Sequence, residues 1–414
     1  MKILTLKNKL GLFENPYGNV SKEKEKTYLM NPINLEKAKK LTQETFVLLK
    51  NKHHLLPINP KEKIALIGPY ANNIGITRSW SMFSDRTKNS TILDVFKEKL
   101  GNNVVYAKGC EILRQKEINK ILSADGLPTV FIENEPKMEK ELIDLAIQTA
   151  EKSDVIILAL GEHYRETGEA CSRTNISLPE NQINLINELQ KLSKPIVLIL
   201  FNGRPIQLSK IEEKVDAILE VWFPGTTGAM AIAEVILGET NPSGKLTMSF
   251  PQNVGQCPIY YNHYNTGRPH IDNFRYVSRY QDVPTKSFYP FGYGLSYCEF
   301  KYLELNLNKH IMKENENIIV TVKVENLSKY EGYEVIQLYI QDLFGSIVRP
   351  VKELKAFKKE FFKPYEVKHV KFNIDVNMLK FWNQKLEYVA ETGTFKVFIG
   401  TDSENTLEEK FELK

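Results

Sequence analysis

Residues 154–202 read DVIILALGEHYRETGEACSRTNISLPENQINLINELQKLSKPIVLILFN, and this stretch decides the fold. Two apolar runs, DVIILALG at 154–161 and PIVLILFN at 195–202, bracket a polar segment and an amphipathic helix over 179–192. Runs so uniformly apolar are what strands covered on both faces require. Ile183, Ile186 and Leu189 recur at three-residue spacing and predict one buried stripe on the helix. A strand, a crossover helix and a second strand of the same kind imply a parallel sheet.

The pattern extends outward in both directions. Further strands are predicted at KIALIG (63–68), NVVYA (103–107) and DAILEVWF (216–223), with helices over 34–50, 138–152 and 227–237. Residues 34–250 are therefore expected to form a parallel α/β sandwich domain, with helices on both faces of the sheet. The stretch 251–298 is rich in turns, tyrosine and proline and is too long for a routine connection, so it is read as a functional loop or a linker. Beyond it the period changes to two, at Ile318, Val320, Val322 and Val324, at Ile336, Leu338 and Ile340, and at Phe395, Val397 and Ile399. Half-buried strands of this kind over 299–414 predict a β-sandwich of the immunoglobulin or fibronectin type III sort. The fold class is thus α/β plus all-β.

Composition narrows the function. With 42% apolar and 26% charged residues and a formal charge of +4 over 414 residues, the chain has no basic excess that would call for a nucleic-acid partner. Its lysines are interleaved with glutamates, as at 22–26 and 358–363, which reads as solvated surface. No run of eighteen apolar residues predicts a membrane span, and the opening MKILTLKNKLGLFENPY lacks the apolar core and cleavage site of a signal peptide. Cys110, Cys171, Cys257 and Cys298 lie far apart with no CxxC spacing, and His163, His263 and His270 do not cluster with carboxylates, so no metal is implied. GPYANN after the 63–68 strand is not a GxGxxG turn, which sets dinucleotide binding aside.

In an open parallel sheet, ligands bind beyond the carboxyl ends of the strands, and the unusual residues gather there. One strand ends at Gly68 and Pro69 with Trp80 a short loop later; another at Gly161 and Glu162; others run into Asn202, Gly203, Arg204 and Pro205, or into Phe223, Pro224 and Gly225. The densest polar segment, 161–179, holds Glu162, His163, Arg165, Glu166, Glu169 and Arg173. By residue type alone it is either a solvated loop or the carrier of a general acid. A general acid near neutral pH needs a raised pKa, which burial and neighbouring carboxylates favour and arginines oppose.

That segment, GEHYRETGEACSRTNISLP, resembles the acid/base loop of glycoside hydrolase family 3, in which a glutamate stands four residues before an arginine and a leucine-proline pair follows. GLFENPY (11–17), ETFVLLKN (44–51), FNGRP (201–205), NPSGKLTMSFP (241–251) and YPFGYGLSY (289–297) are similar to the family in the same order, nearest its periplasmic β-glucosidase branch. The resemblance implies that Glu169 is the acid/base and that Arg173 is the arginine of its motif and a substrate contact; Glu162, where its strand ends, is a second candidate acid and a further substrate contact. Trp80, in SWSMFSD, would border the substrate, with Phe83 a weaker candidate on the same loop. Asn202 and Arg204 are expected to shape the strand exit, and Trp222 and Trp382 to pack in the core. The resemblance further implies that residues 1–33 correspond to the end of a (β/α)8 barrel and its linker, and that the aspartate nucleophile belongs to that barrel, which these residues do not supply. The expected function is the C-terminal portion of a retaining, exo-acting β-glucosidase acting on terminal β-D-glucosyl residues without a cofactor. The alternatives are a β-xylosidase portion, or a non-catalytic module that binds carbohydrate or a partner. A separate barrel chain is the expected partner, homodimerisation follows by resemblance, and so does a periplasmic or extracellular location. The loop CPIYYNHYNTGRPHIDNFRYVSRY (257–280) is expected to border the active site or to pack on the barrel.

Overall fold

The computed structural model describes residues 1–414 except 19, 78–80, 82–88, 130–134 and 272–273. Three helices open the chain: α1 (Lys2–Lys9), α2 (Lys22–Tyr28) and α3 (Pro32–Thr45). The α/β domain continues with β1 (Val47–Asn51), β2 (Ile64–Ile67), α4 (Ile92–Leu100), β3 (Val104–Ala107), α5 (Gln115–Ala124) and α6 (Glu135–Glu151). It ends with β4 (Val155–Gly161), α7 (Glu180–Gln190), β5 (Ile196–Phe201), β6 (Ala217–Glu220) and α8 (Gly228–Ile236). The sheet order is β1-β6-β5-β4-β2-β3.

Every residue of β2, β4, β5 and β6 is buried, because helices cover both faces of the sheet. On α7 the predicted stripe is buried and is widened by Leu185, Asn181 and Gln182. Fully burying an aliphatic side chain such as Leu185 or Ile186 contributes roughly 1.5–3 kcal/mol. The sheet departs from the expectation at one edge, since β1 runs antiparallel to β6, pairing Val47 with Glu220 and Leu48 with Leu219. The helix predicted over 34–50 stops at Thr45, and the apolar run that follows is edge strand. In α3 the only buried residue is Gln43, so this helix lies on the surface rather than in the core.

The all-β part comprises β7 (Phe300–Leu307), β8 (Ile311–Met312), β9 (Ile318–Asn326), β10 (Gly332–Asp342) and β11 (Glu353–Phe362). It closes with β12 (Val367–Ile374), β13 (Phe381–Trp382), β14 (Tyr388–Val389), β15 (Gly393–Gly400) and β16 (Thr406–Leu413). A β11-β10-β15-β16-β8 sheet faces a β12-β9-β7 sheet over a core that includes Ile318, Val320, Val322, Val324, Ile336, Leu338, Val397 and Ile399. These are the alternating positions of the sequence reading. Trp382 is a correction: it is 61% exposed on the short β13–β14 hairpin, with its ring against Tyr388 at 5.3 Å, and takes no part in the core. Its neighbour Phe381 is the buried residue of that pair, because successive side chains of a strand face opposite ways. Trp222 is partly buried against the α/β core and donates its indole N–H to the Thr45 carbonyl at 3.1 Å.

Among the described residues, 251–298 run between the two units without a named strand, held by local pairings such as Phe250 with Tyr289 and Leu48 with Leu295. Tyr261 meets Tyr339 of β10 edge-on at 5.8 Å, and the Val351 N–H donates to the His263 carbonyl at 2.9 Å, so the long loop packs on the β-sandwich.

Candidate functional site

Strands β4, β5 and β6 lie side by side, so Glu162, Asn202 and Glu220 meet at their carboxyl ends. The approach is close. A side chain at Gly161 would place its Cβ 1.9 Å from the Phe201 carbonyl oxygen, and one at Gly203 would place it 2.7 Å from Thr167 Oγ1. Only glycine lets the polar loop lie directly on the end of β5. From α7, Gln182 accepts the Gly161 N–H at 2.9 Å and donates to the carbonyls of Gly161 and Ile112, both at 2.8 Å, which pins the exit of β4.

Glu162 is fully buried beneath the loop. Its carboxylate accepts from Arg173 Nη1 at 2.9 Å and from the Gly203 N–H at 3.0 Å, with Arg204 Nε at 3.2 Å, while its backbone carbonyl accepts the Tyr70 hydroxyl at 2.5 Å. Burial pushes the Glu162 pKa up, and the Gly203 N–H, Arg204 and Arg173 only partly offset it. The Glu162 carboxylate is thus enclosed beneath the loop, hydrogen-bonded to Arg173 and Gly203 and with the Arg204 charge beside it. Arg173 also pairs with Glu166 at 3.0 Å and donates to the Asn175 carbonyl at 3.0 Å, so the arginine of the motif is turned inward. Arg204 donates to the carbonyls of Glu166 and, at 2.8 Å, Cys171.

The start of the loop is a single tight turn. Glu166 accepts the His163 N–H at 2.9 Å and His163 Nδ1 accepts the Arg165 N–H at 3.2 Å, while Arg165 pairs with Asp125 at the end of α5. Burial, then the nearby Arg165 charge, lowers the His163 pKa to about 4, so this imidazole is neutral across the physiological range.

Glu169 differs from its neighbours in every respect. It is exposed, and among the described residues its carboxylate has neither a hydrogen-bond partner nor an ion pair. It sits between Gly168, with φ 115°, and Ala170, with φ 57°. A left-handed alanine is a strained residue, and such strain is retained where the surroundings enforce it. The chain thus turns sharply on both sides of Glu169 and presents it at the apex of the loop. Trp80 and Phe83 lie outside the described residues.

Sequence reasoning passed over one further group, Glu220. It is fully buried, accepts from Asn202 Nδ2 at 2.8 Å and from the Trp222 N–H at 2.9 Å, and has its pKa raised to about 8, chiefly by burial. No local motif marks it, since it ends an apolar strand whose neighbours only the sheet order supplies. Among the described residues, no group of histidine, cysteine and carboxylate side chains could hold a metal ion, and no helix is long and apolar enough to cross a membrane.

Comparison with known proteins bears on the whole chain. Residues 46–297 match the glycosyl hydrolase family 3 C-terminal domain, and residues 334–403 match the fibronectin type III-like domain. The chain is 42% identical to the periplasmic beta-glucosidase of Salmonella typhimurium, across 99% of its own length and 54% of that protein. It is 34% identical to a beta-xylosidase of Formosa agariphila, across 97% of its length and 53% of the relative. A beta-glucosidase from Listeria innocua, solved in complex with glucose, superposes with a TM-score of 0.86 at 39% identity, covering 99% of this chain and 53% of that one. The chain therefore spans about half the length of the curated relatives it matches. By the extent of the domain match and by relatives that run along its whole length, this chain belongs to glycoside hydrolase family 3.

Proposed function

We propose that the chain supplies the proton-donating part of a retaining, exo-acting β-glucosidase, with Glu169 as general acid/base. The observation that carries this reading is the contrast at the loop: Glu162 and Glu166 are committed to arginines, while Glu169 alone is held out at a strained apex with an open carboxylate. In a retaining glycosidase one carboxyl protonates the departing oxygen and another, about 5–5.5 Å away, attacks the sugar carbon. In this reading the second carboxyl belongs to a (β/α)8 barrel, on this polypeptide or on another. Trp80 borders the sugar, and Arg173 braces the loop from below. Leu6, Leu10, Phe13, Tyr28 and Ile33 are all more than half exposed, a surface suited to burial against such a barrel. The resemblance to a periplasmic enzyme favours a periplasmic setting.

The test combines the 414-residue chain with the N-terminal half of the Salmonella relative, expressed separately. Hydrolysis of aryl β-glucosides is expected from the mixture and not from the chain alone. In the active mixture, Glu169→Ala should lower kcat/KM for alkyl β-glucosides by about 10²–10⁴-fold, and much less for dinitrophenyl β-glucoside, whose departure needs no protonation, while kcat on the latter becomes limited by hydrolysis of the glycosyl-enzyme. Azide should restore turnover of the activated substrate. Equal losses on both substrates would sink the assignment. The Formosa relative favours a second reading, a β-xylosidase, and the ratio of kcat/KM for matched glucosides and xylosides decides between them.

A further inference from the structure

We propose that Arg204 is the positioning residue of the proton donor, holding the loop on both sides of Glu169 and so fixing where that carboxyl stands. The proposal rests on the reading of Glu169 as the acid/base.

One guanidinium reaches both legs of the loop through their backbone carbonyls. Its Nη2 donates to the carbonyl of Glu166, upstream of Glu169, and to that of Cys171, downstream, while its Nε lies 3.2 Å from the Glu162 carboxylate. Between the two gripped carbonyls the chain turns through Gly168 and Ala170, both at positive φ, with Glu169 between them. The arc is thus closed at its base by the Arg204 guanidinium together with the Arg173–Glu166 pair, and its apex is the exposed carboxylate.

The base itself is rigid. Arg204 follows Gly203, whose N–H is bonded to the same Glu162 carboxylate and whose Cα lies against Thr167 with no room for a Cβ. The position of Glu169 is therefore referred back to the end of β5, in the most deeply buried part of the sheet. Arg173 does a different job: it ties the downstream leg through Glu162, Glu166 and the Asn175 carbonyl. Lysine cannot substitute for Arg204, because a point charge with no planar fork does not span two carbonyls and a carboxylate at once.

Cys171 reports on this arc. It is partly buried, and its sulfur lies 3.2 and 3.1 Å from the carbonyls of Arg165 and Glu169, which share its one S–H, so opening of the arc exposes it. Cys110, fully buried in the α/β core, reports on general loosening of the fold.

The experiment measures alkylation of the intact chain by iodoacetamide, resolved cysteine by cysteine by mass spectrometry. Arg204→Met is expected to speed Cys171 about tenfold and leave Cys110 unchanged, as local opening without global unfolding requires. Arg204→Lys should stay fast. Millimolar ethylguanidinium should return Arg204→Ala to the slow rate, a rescue that a merely space-filling arginine would not show. An unchanged Cys171 rate, an equal acceleration of Cys110, or failure of the guanidinium to slow the reaction overturns the proposal. Thiol reactivity involves no catalysis, so failure here is separate from failure of Glu169 in the leaving-group test.

Discussion

Glu220 ends β6 with both carboxylate oxygens occupied and no solvent contact, and burial raises its pKa to about 8. In the unfolded chain the same group titrates near 4.5. Between these values the folded state holds the proton and the unfolded state has lost it, so stability falls as pH rises from about 4.5 to about 8, by at most ~1.4 kcal/mol per pH unit. Glu220→Gln, which cannot ionise, is expected to flatten that slope and to gain stability over the parent at pH 8, read from urea unfolding at several pH values. Asn202 can turn its amide to suit, since its Oδ1 has no partner among the described residues. A slope unchanged by the substitution would show that Glu220 is ionised in the folded protein. Glu162, Glu169 and Glu220 share one side-chain chemistry, and their surroundings separate them into a clamped carboxylate, an exposed and unpaired one, and a buried one whose pKa is raised. Residue type alone could not make that distinction. Glu169 could be proposed as the acid from the resemblance of its loop, whereas the clamp depends on Arg204, brought from the chain that follows β5.

At the scale of elements, α4 illustrates what a local signal is worth. Thr91 Oγ1 accepts the Asp94 N–H at 3.0 Å and Asp94 accepts the Thr91 N–H at 3.0 Å, a reciprocal cap on a nine-residue helix that buries Ile92, Leu93, Val95 and Phe96. Thr91→Ala is expected to cost about 1 kcal/mol, measured as a lower urea midpoint with an unchanged slope. The helix was legible in principle through its Thr-x-x-Asp start and was passed over because it is short. The long, wholly apolar strands β4 and β5 were read correctly because nothing but a sheet covered on both sides accommodates them. The edge strand β1 was not, because its apolar residues continue the periodicity of α3 and only pairing with β6 distinguishes the two. In the β-sandwich, alternation identified the central strands β9, β10 and β15, while the more polar β11, with no fully buried residue before Phe362, left no comparable trace.

At the scale of the molecule, the two units are joined through polar groups removed from solvent. Lys245, from the α/β side, donates to the Gly294 carbonyl at 2.7 Å and pairs at 3.2 Å with Glu334 on β10, which also accepts the Tyr302 hydroxyl at 2.9 Å. Glu334→Ala strands the Lys245 ammonium and is expected to cost about 3–5 kcal/mol. Adding Lys245→Met should recover much of that loss, since removing both partners of a buried pair is far less harmful than removing one. Urea unfolding of the two single variants and the double variant checks this, and additive losses would show that the pair is not coupled. A different consequence follows from the way the acid loop is mounted. Its supports among the described residues, Gln182, Asp125, Gly203 and Arg204, all belong to the α/β domain. An arm that carries its own bracket can be exchanged as one cassette. Residues 161–178 and 201–205 form the smallest graft that keeps both halves of the grip, so this loop can be moved between relatives with its own anchor and without touching the β-sandwich.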